Sequence, residues 1–169
     1  MTERERLQRQ AARVLVLDPQ GRLLLLRGSD PALPGPRFWW TVGGGLEPGE
    51  SPRAGAVREL HEETGLRVPE DALVGPLHHD VSSFAFDRYQ VEQENAFFAV
   101  RVEGWTTTAA GLEPVELASI DGSGWWTLDQ LRAHAEGRAH DGPGRPDEPV
   151  YPPDLADVLA AALAATAGP

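Results

Sequence analysis

Near the start of the chain two apolar runs, AARVLVLD and GRLLLLRG, flank Asp18-Pro19-Gln20-Gly21. Apolar runs on either side of turn chemistry predict a β-hairpin. The second run is apolar almost throughout, as in a strand buried on both faces. Residues 1–10, MTERERLQRQ, show no such pattern, and a flexible lead-in is expected there. GSDPALPGPR predicts a Pro/Gly loop, and Phe38 to Val42 a short strand leading into Gly43, Gly44 and Gly45. A helix is then expected from about Pro52. Ser51 suits its N-cap, Pro52 its first position and Gly65 the place just past its end. On that helix Val57, Leu60 and Thr64 share the side that packs, opposite Glu59, Glu62 and Glu63.

Beyond the helix, VPEDALVGPL reads as a connector, and His78-His79 as a polar turn. His79 to Phe86 and Val91 to Val102 predict a second strand pair around Asp87-Arg88. Residues 103–114 form a polar loop in this reading, and Ile120 to Thr127 a short strand whose Trp125 and Trp126 brace the following helix, Asp129 to Glu136. Residues 137–153, rich in Pro, Gly and charge, predict a loop more mobile than the core. Leu155 to Ala165 forms a last helix with Leu155, Val158, Leu159 and Leu163 on one side. Strands, helix, strands, then helices give an α/β class with a mixed sheet, in one domain over residues 1–169 whose 137–169 portion is an extension.

Composition narrows the partners. At 41% hydrophobic and 24% charged, the 169 residues match an ordinary globular domain. The net charge of −11 argues against a polymeric nucleic-acid ligand, which calls for the opposite sign. It does not argue against a nucleotide held through metal. No apolar run reaches ~18 residues and no secretory signal pattern opens the chain, so no membrane partner is expected and the cytoplasm is the expected location. With no cysteine, thiolate metal sites and a cysteine nucleophile are excluded.

The chemistry concentrates between Gly44 and Leu66. On a helix, Glu59, Glu62 and Glu63 stand at i, i+3 and i+4 and fill an arc of roughly 100°. Like charges so close repel each other, and a divalent cation among them relieves the repulsion. Hard oxygen ligands suit Mg²⁺ or Mn²⁺, which share their shells with waters and phosphates. Arg58 carries a guanidinium fork able to orient carboxylates, and the glycines Gly43, Gly44 and Gly45 admit close approach of backbone to phosphate or metal.

This stretch resembles the box of the Nudix hydrolase family: Gly, five residues, Glu, seven residues, Arg-Glu, an apolar residue, any residue, Glu-Glu, any residue, Gly, an apolar residue. Gly44, Glu50, Arg58, Glu59, Leu60, Glu62, Glu63, Gly65 and Leu66 meet every fixed place. The resemblance implies an α/β/α sandwich with a mixed sheet and a divalent-metal-dependent hydrolase of a nucleoside diphosphate linked to another group. It implies Glu59, Glu62 and Glu63 as metal ligands, the Gly43 carbonyl as a further donor, and Arg58 paired with Glu50. The family is often dimeric, so a homodimer is an open expectation.

Other roles rest on fewer residues. The general base is Glu59 or a carboxylate outside the box, with Glu94 preferred over Glu92, Glu113 and Glu116. Arg27, Arg37 and Arg88 are candidates to touch phosphate. Trp39, Trp40, Phe84 and Phe86 could stack a base or pack in the core, and Trp40 with Arg27 joins the glycines as the substrate-binding set. Val81 stands where the ADP-ribose subgroup carries proline, and Ser83 where the diadenosine-polyphosphate subgroup carries tyrosine, so neither substrate is marked. The alternative is a catalytically silent nucleotide- or metabolite-binding regulator on the same fold.

Overall fold

The computed structural model describes residues 4–29, 35–86, 88–103 and 120–168. Strand β1 (Glu5–Leu17) turns into β2 (Leu23–Gly28) as an antiparallel pair, with Leu17 opposite Leu23. Asp18 closes the turn: its Oδ1 accepts from the backbone N–H of Gln20 at 3.0 Å and of Arg22 at 2.7 Å. The expectation for β2 holds. Leu24 and Leu26 enter one core cluster, and Leu23 and Leu25 the other. Strands β3 (Phe38–Trp40) and β4 (Val42–Gly45) follow, then helix α1 (Pro52–Thr64). Ser51 caps α1 by accepting from the Ala54 N–H at 3.1 Å, and Gly65 ends it in the left-handed conformation.

Strands β5 (Val74–Phe86) and β6 (Tyr89–Arg101) form a long antiparallel pair. Next come β7 (Ile120–Trp126), α2 (Leu128–Ala135), the short β8 (Val150–Tyr151) and α3 (Leu155–Thr166). The sheet order is β5-β6-β1-β2-β3-β8, with β4 pairing β1 and β7 pairing β2. Its apolar residues divide between two clusters. One joins Val14, Val42, Phe98 and Leu24 with Ala56 and Leu60 of α1. The other joins Leu15, Leu25, Phe97 and Trp126 with Leu131 of α2 and Leu155, Val158 and Leu159 of α3. Helices on both faces of a mixed sheet match the α/β/α expectation.

Three expectations need correction. Residues 5–10 are not a flexible lead-in, because β1 begins at Glu5 and runs parallel to β6 from Glu5↔Tyr89 to Leu17↔Arg101. Their side chains are exposed, and it is the backbone ladder that holds them. His78 and His79 are not a turn: β5 starts at Val74, its register with β6 shifts between Val74 and His78, and the two histidines lie on opposite faces of the strand. The segment 137–153 is not loop throughout. β8 pairs in parallel with β3, and the buried Glu148 carboxylate accepts from Arg27 Nε at 3.1 Å, Trp39 Nε1 at 2.8 Å and the Arg145 N–H at 3.1 Å.

Trp126 braces α2 as expected, its ring 5.4 Å from that of His134 and edge-on to Trp39 at 5.3 Å. Thr127 and Gln130 close a reciprocal capping box at the start of α2, which the sequence reading passed over. Among the described residues, no helix is long and apolar enough to cross a membrane.

Candidate active site

Helix α1 meets the sheet on the face bearing Ala56, Leu60 and Thr64, all at 0% exposure, while Val57 stays half-buried. The next face of the helix carries Glu59 and Glu63 against the glycine strand β4. Both are largely buried, at 8% and 9% exposure, and Glu62 remains more open. The sequence pattern had set all three opposite the packing side. The structure sinks two of them into the crevice between α1 and β4.

The crevice exists because β4 has no side chains in its way. Gly43 adopts a φ of 137°, and a Cβ there would collide with the Ala12 carbonyl oxygen and stand 2.8 Å from the Cα of Arg13. A Cβ on Gly44 would lie 2.7 Å from Glu59 Oε1, in space that the carboxylate occupies. The Gly43 N–H donates to Glu63 Oε1 at 3.0 Å, which fixes strand and helix to each other.

Arg58 organises the carboxylates. Its Nε and one terminal nitrogen donate to the two oxygens of Glu50 at 2.9 and 2.8 Å. The other terminal nitrogen reaches Glu59 Oε1 at 3.0 Å and Glu62 Oε2 at 3.2 Å, and the Gly45 carbonyl accepts at 3.0 Å. The bonds from Arg58 hold the Glu50 carboxyl below its ordinary pKa. Burial pushes Glu59 up, opposed by Arg58, and burial with repulsion from Glu59 pushes Glu63 well up. The carboxylates of Glu50, Glu59, Glu62 and Glu63 outnumber the guanidiniums of Arg58 and Arg13 around them, and an oxygen donor set with such a surplus of negative charge fits a divalent cation.

Arg13, which the sequence reading did not single out, enters the same crevice from β1. One of its terminal nitrogens donates to the Gly43 carbonyl at 3.0 Å. Burial lowers its pKa, and the negative field of Glu63 opposes that. Arg13 therefore engages the carbonyl expected to serve as a further metal donor, and a metal would have to use that oxygen's second lone pair. The available signal was an arginine inside an apolar strand, Ala12-Arg13-Val14, a place that buries a charge only when partners meet it.

The remaining candidates scatter. Glu92 and Glu94 are exposed and alternate with the buried Gln93 and Asn95 along β6. Glu94 lines an open cleft with Gln10, Leu46, Pro52, His79 and Val81, and no described hydrogen bond or ion pair joins it to the box. Arg27 is engaged with Glu148, its guanidinium 5.9 Å from the Trp39 ring centre. Trp39 lies in the core at 2% exposure, and Trp40 packs half-buried beside Phe38, ring centres 5.1 Å apart. Phe84 lies under Arg9, 5.7 Å from its guanidinium carbon. Glu113, Glu116 and the side chain of Phe86 fall outside the described residues. On β5, His78 Nε2 stands 3.9 Å from Asp80 and 3.6 Å from Asp154 at the start of α3, a separate small group of oxygen and nitrogen donors.

A mixed sheet flanked by helices, with a glycine strand facing a helix that carries carboxylates, defines an α/β protein with an acidic crevice. The chain belongs to the NUDIX domain family, which it matches over residues 7–146. Among curated relatives, it is 55% identical over 51 residues to an octanoyltransferase of Myxococcus xanthus, covering 30% of this chain and 13% of that one. It is 32% identical over 108 residues to a Bacillus subtilis protein provisionally named an 8-oxo-dGTP diphosphatase, covering 64% of this chain and 63% of that one. The chain thus spans less than two thirds of the length of either relative. Among solved structures, a Caenorhabditis elegans Ap4A hydrolase complex aligns with a TM-score of 0.55 at 16% identity, over 92% of this chain and 96% of that one. That likeness shows the fold.

Proposed function

We propose that this protein is a pyrophosphohydrolase that cleaves the phosphoanhydride of a nucleoside diphosphate linked to another moiety. The observation that carries the reading is the holding of Glu59 and Glu62 by Arg58, and of Glu63 by the Gly43 N–H, in a crevice walled by Gly43 and Gly44. The diphosphatase name of the Bacillus subtilis relative supports the same reaction class.

In this reading Glu59, Glu62 and Glu63, with the Gly43 carbonyl, hold Mg²⁺, or Mn²⁺ in its place. When bound, such a cation neutralises the anhydride oxygens and acidifies water. Glu50 holds Arg58, Arg58 holds Glu59 and Glu62, and the Gly43 N–H holds Glu63, so the carboxylates need not reorganise when substrate arrives. The bare backbone of Gly44 lets the Glu59 carboxylate lie against the strand, and that of Gly45 leaves room for a phosphate. Water adds to phosphorus, the bridging P–O bond breaks, and the water's proton passes to a carboxylate. We assign that proton to Glu59, which lies inside the group, rather than to Glu94, which lies outside it.

The enzyme works in the cytoplasm on a small nucleotide-type substrate, as an acidic chain without cysteines suits; cell fractionation tests the location. A homodimer is the assembly to test by light scattering. The function is tested by turnover on deoxynucleotides, oxidised nucleotides, ADP-ribose, nucleotide sugars and dinucleoside polyphosphates, with Mg²⁺ and with Mn²⁺. Turnover of one class, abolished in Glu62→Gln, is the expected result. Tight binding without turnover would make the protein a silent binding module instead.

A further inference from the structure

We propose that Arg9 is a substrate-binding residue, a guanidinium fork for a phosphate oxyanion at the open end of the glycine strand, aimed by a buried relay of Asp80, Asn95 and Gln93. The proposal rests on the reading of the crevice as a phosphoanhydride site and names how the chain grips the part of the substrate lying away from the carboxylate helix.

The relay has only one possible direction. An ionised carboxylate only accepts, so Asn95 must turn its amide nitrogen toward Asp80, and Nδ2 donates to Asp80 Oδ1 at 2.7 Å and to Ser82 Oγ at 3.0 Å. That leaves Asn95 Oδ1 to accept from Gln93 Nε2 at 2.6 Å. Gln93 must therefore present Oε1 to Arg9, whose Nε donates to it at 2.5 Å. An anion fixes one end of the chain and a cation the other, with both amides aligned between them.

Gln93 and Asn95 are buried at 1% and 5% exposure, and burying two amides costs desolvation while adding little apolar contact. What the arrangement achieves is the bearing of an exposed side chain. The guanidinium carbon of Arg9 stands 5.7 Å from the Phe84 ring centre, which restrains its tilt. A Cβ on Gly45 would lie 3.7 Å from one of its terminal nitrogens, so the fork runs alongside the end of β4. Burial lowers the pKa of Arg9, and the negative field of Glu59 opposes that. With Nε committed to Gln93, no described hydrogen bond or ion pair uses the two terminal nitrogens. A fork held by one nitrogen, with the others open beside a glycine backbone, matches a phosphate oxyanion. Arg13, four residues on, turns a terminal nitrogen to the Thr41 and Gly43 carbonyls instead.

The test is calorimetric titration of the full chain with ADP and with inorganic pyrophosphate, Ca²⁺ replacing Mg²⁺ to suppress turnover. Arg9→Gln is expected to weaken both ligands ~10-fold or more and to flatten the salt dependence of Kd, while its melting temperature stays near that of the wild type. Arg9→Lys, which keeps the charge without the fork, should fall between. Gln93→Leu, which keeps Arg9 but frees it, should weaken ADP severalfold. Affinities within two-fold of wild type in Arg9→Gln would overturn the proposal, as would a wild-type protein that binds neither probe. ADP binding that depends on Arg9, in a protein that hydrolyses nothing, would sink the hydrolase reading and leave this one standing. Turnover with unchanged affinity in Arg9→Gln would do the reverse.

Discussion

Arg58 and Glu50 form a two-pronged pair across the start of the carboxylate helix, Nε to Oε2 at 2.9 Å and a terminal nitrogen to Oε1 at 2.8 Å. The remaining nitrogen of the same guanidinium holds Glu59 and Glu62. Glu50 thus acts on the glutamates through Arg58, and the planar fork is what permits both jobs at once. Arg58→Lys keeps the charge and loses the fork. Turnover and Mn²⁺ affinity, read by steady-state kinetics and electron paramagnetic resonance, should each fall by ~10- to 100-fold.

Metal and protons compete in the crevice. Burial holds the Glu59 and Glu63 carboxyls above their ordinary range, so in the metal-free fold they keep protons that the unfolded chain has released. Their contribution to stability is complete below the ordinary carboxylate pKa and is lost as pH rises through the raised values. A cation needs both deprotonated and replaces what is lost. The Mg²⁺-induced rise in melting temperature should therefore be larger at pH 8 than at pH 5.5. Equal increments would contradict the assignment of these carboxylates as ligands.

Gly43 and Gly44 should respond differently to alanine. At Gly43 the new Cβ meets rigid backbone at Ala12 and Arg13, at a φ of 137°, so Gly43→Ala should cost about 3 kcal/mol or more in denaturant unfolding. At Gly44 the obstacle is the end of the Glu59 side chain, which can move. Gly44→Ala should keep most of its stability and lose metal affinity and turnover.

Glu148 pins the segment before α3 to the sheet. Burial raises its pKa, but the bonds from Arg27, Trp39 and the Arg145 N–H outweigh burial and hold it at about 2. A depressed carboxyl stabilises the fold above its unfolded pKa, and that stability drains away as pH falls toward 2. The linkage is worth roughly 3 kcal/mol. Urea unfolding at pH 7 and pH 3 should show Glu148→Gln destabilised mainly at pH 7, with the gap to wild type narrowing at pH 3.

What local order can specify was legible in the chain. The β1–β2 turn, the two-sided burial of β2, both caps of α1 and the spacing of the box all depend on residues within a few positions of each other, where periodicity and backbone preference act. What depends on distant partners was decided by the fold. Residues 5–10 looked unstructured because their side chains are exposed and, Leu7 apart, polar, yet a parallel ladder to β6 supplies their backbone bonds. Arg27 stood among the phosphate candidates, and its bond to Glu148, 121 positions away, could be read only from the fold. Arg9 and Arg13 gained their roles only when β1 was laid between β4 and β6, beside Gly43 and Gln93. Which of two buried glutamates meets which backbone amide is likewise fixed by the packing of α1 on the sheet. A pattern of neighbours carries the sign and type of each side chain, but the burial and opposing charge that set its chemistry come from segments the chain brings together only on folding.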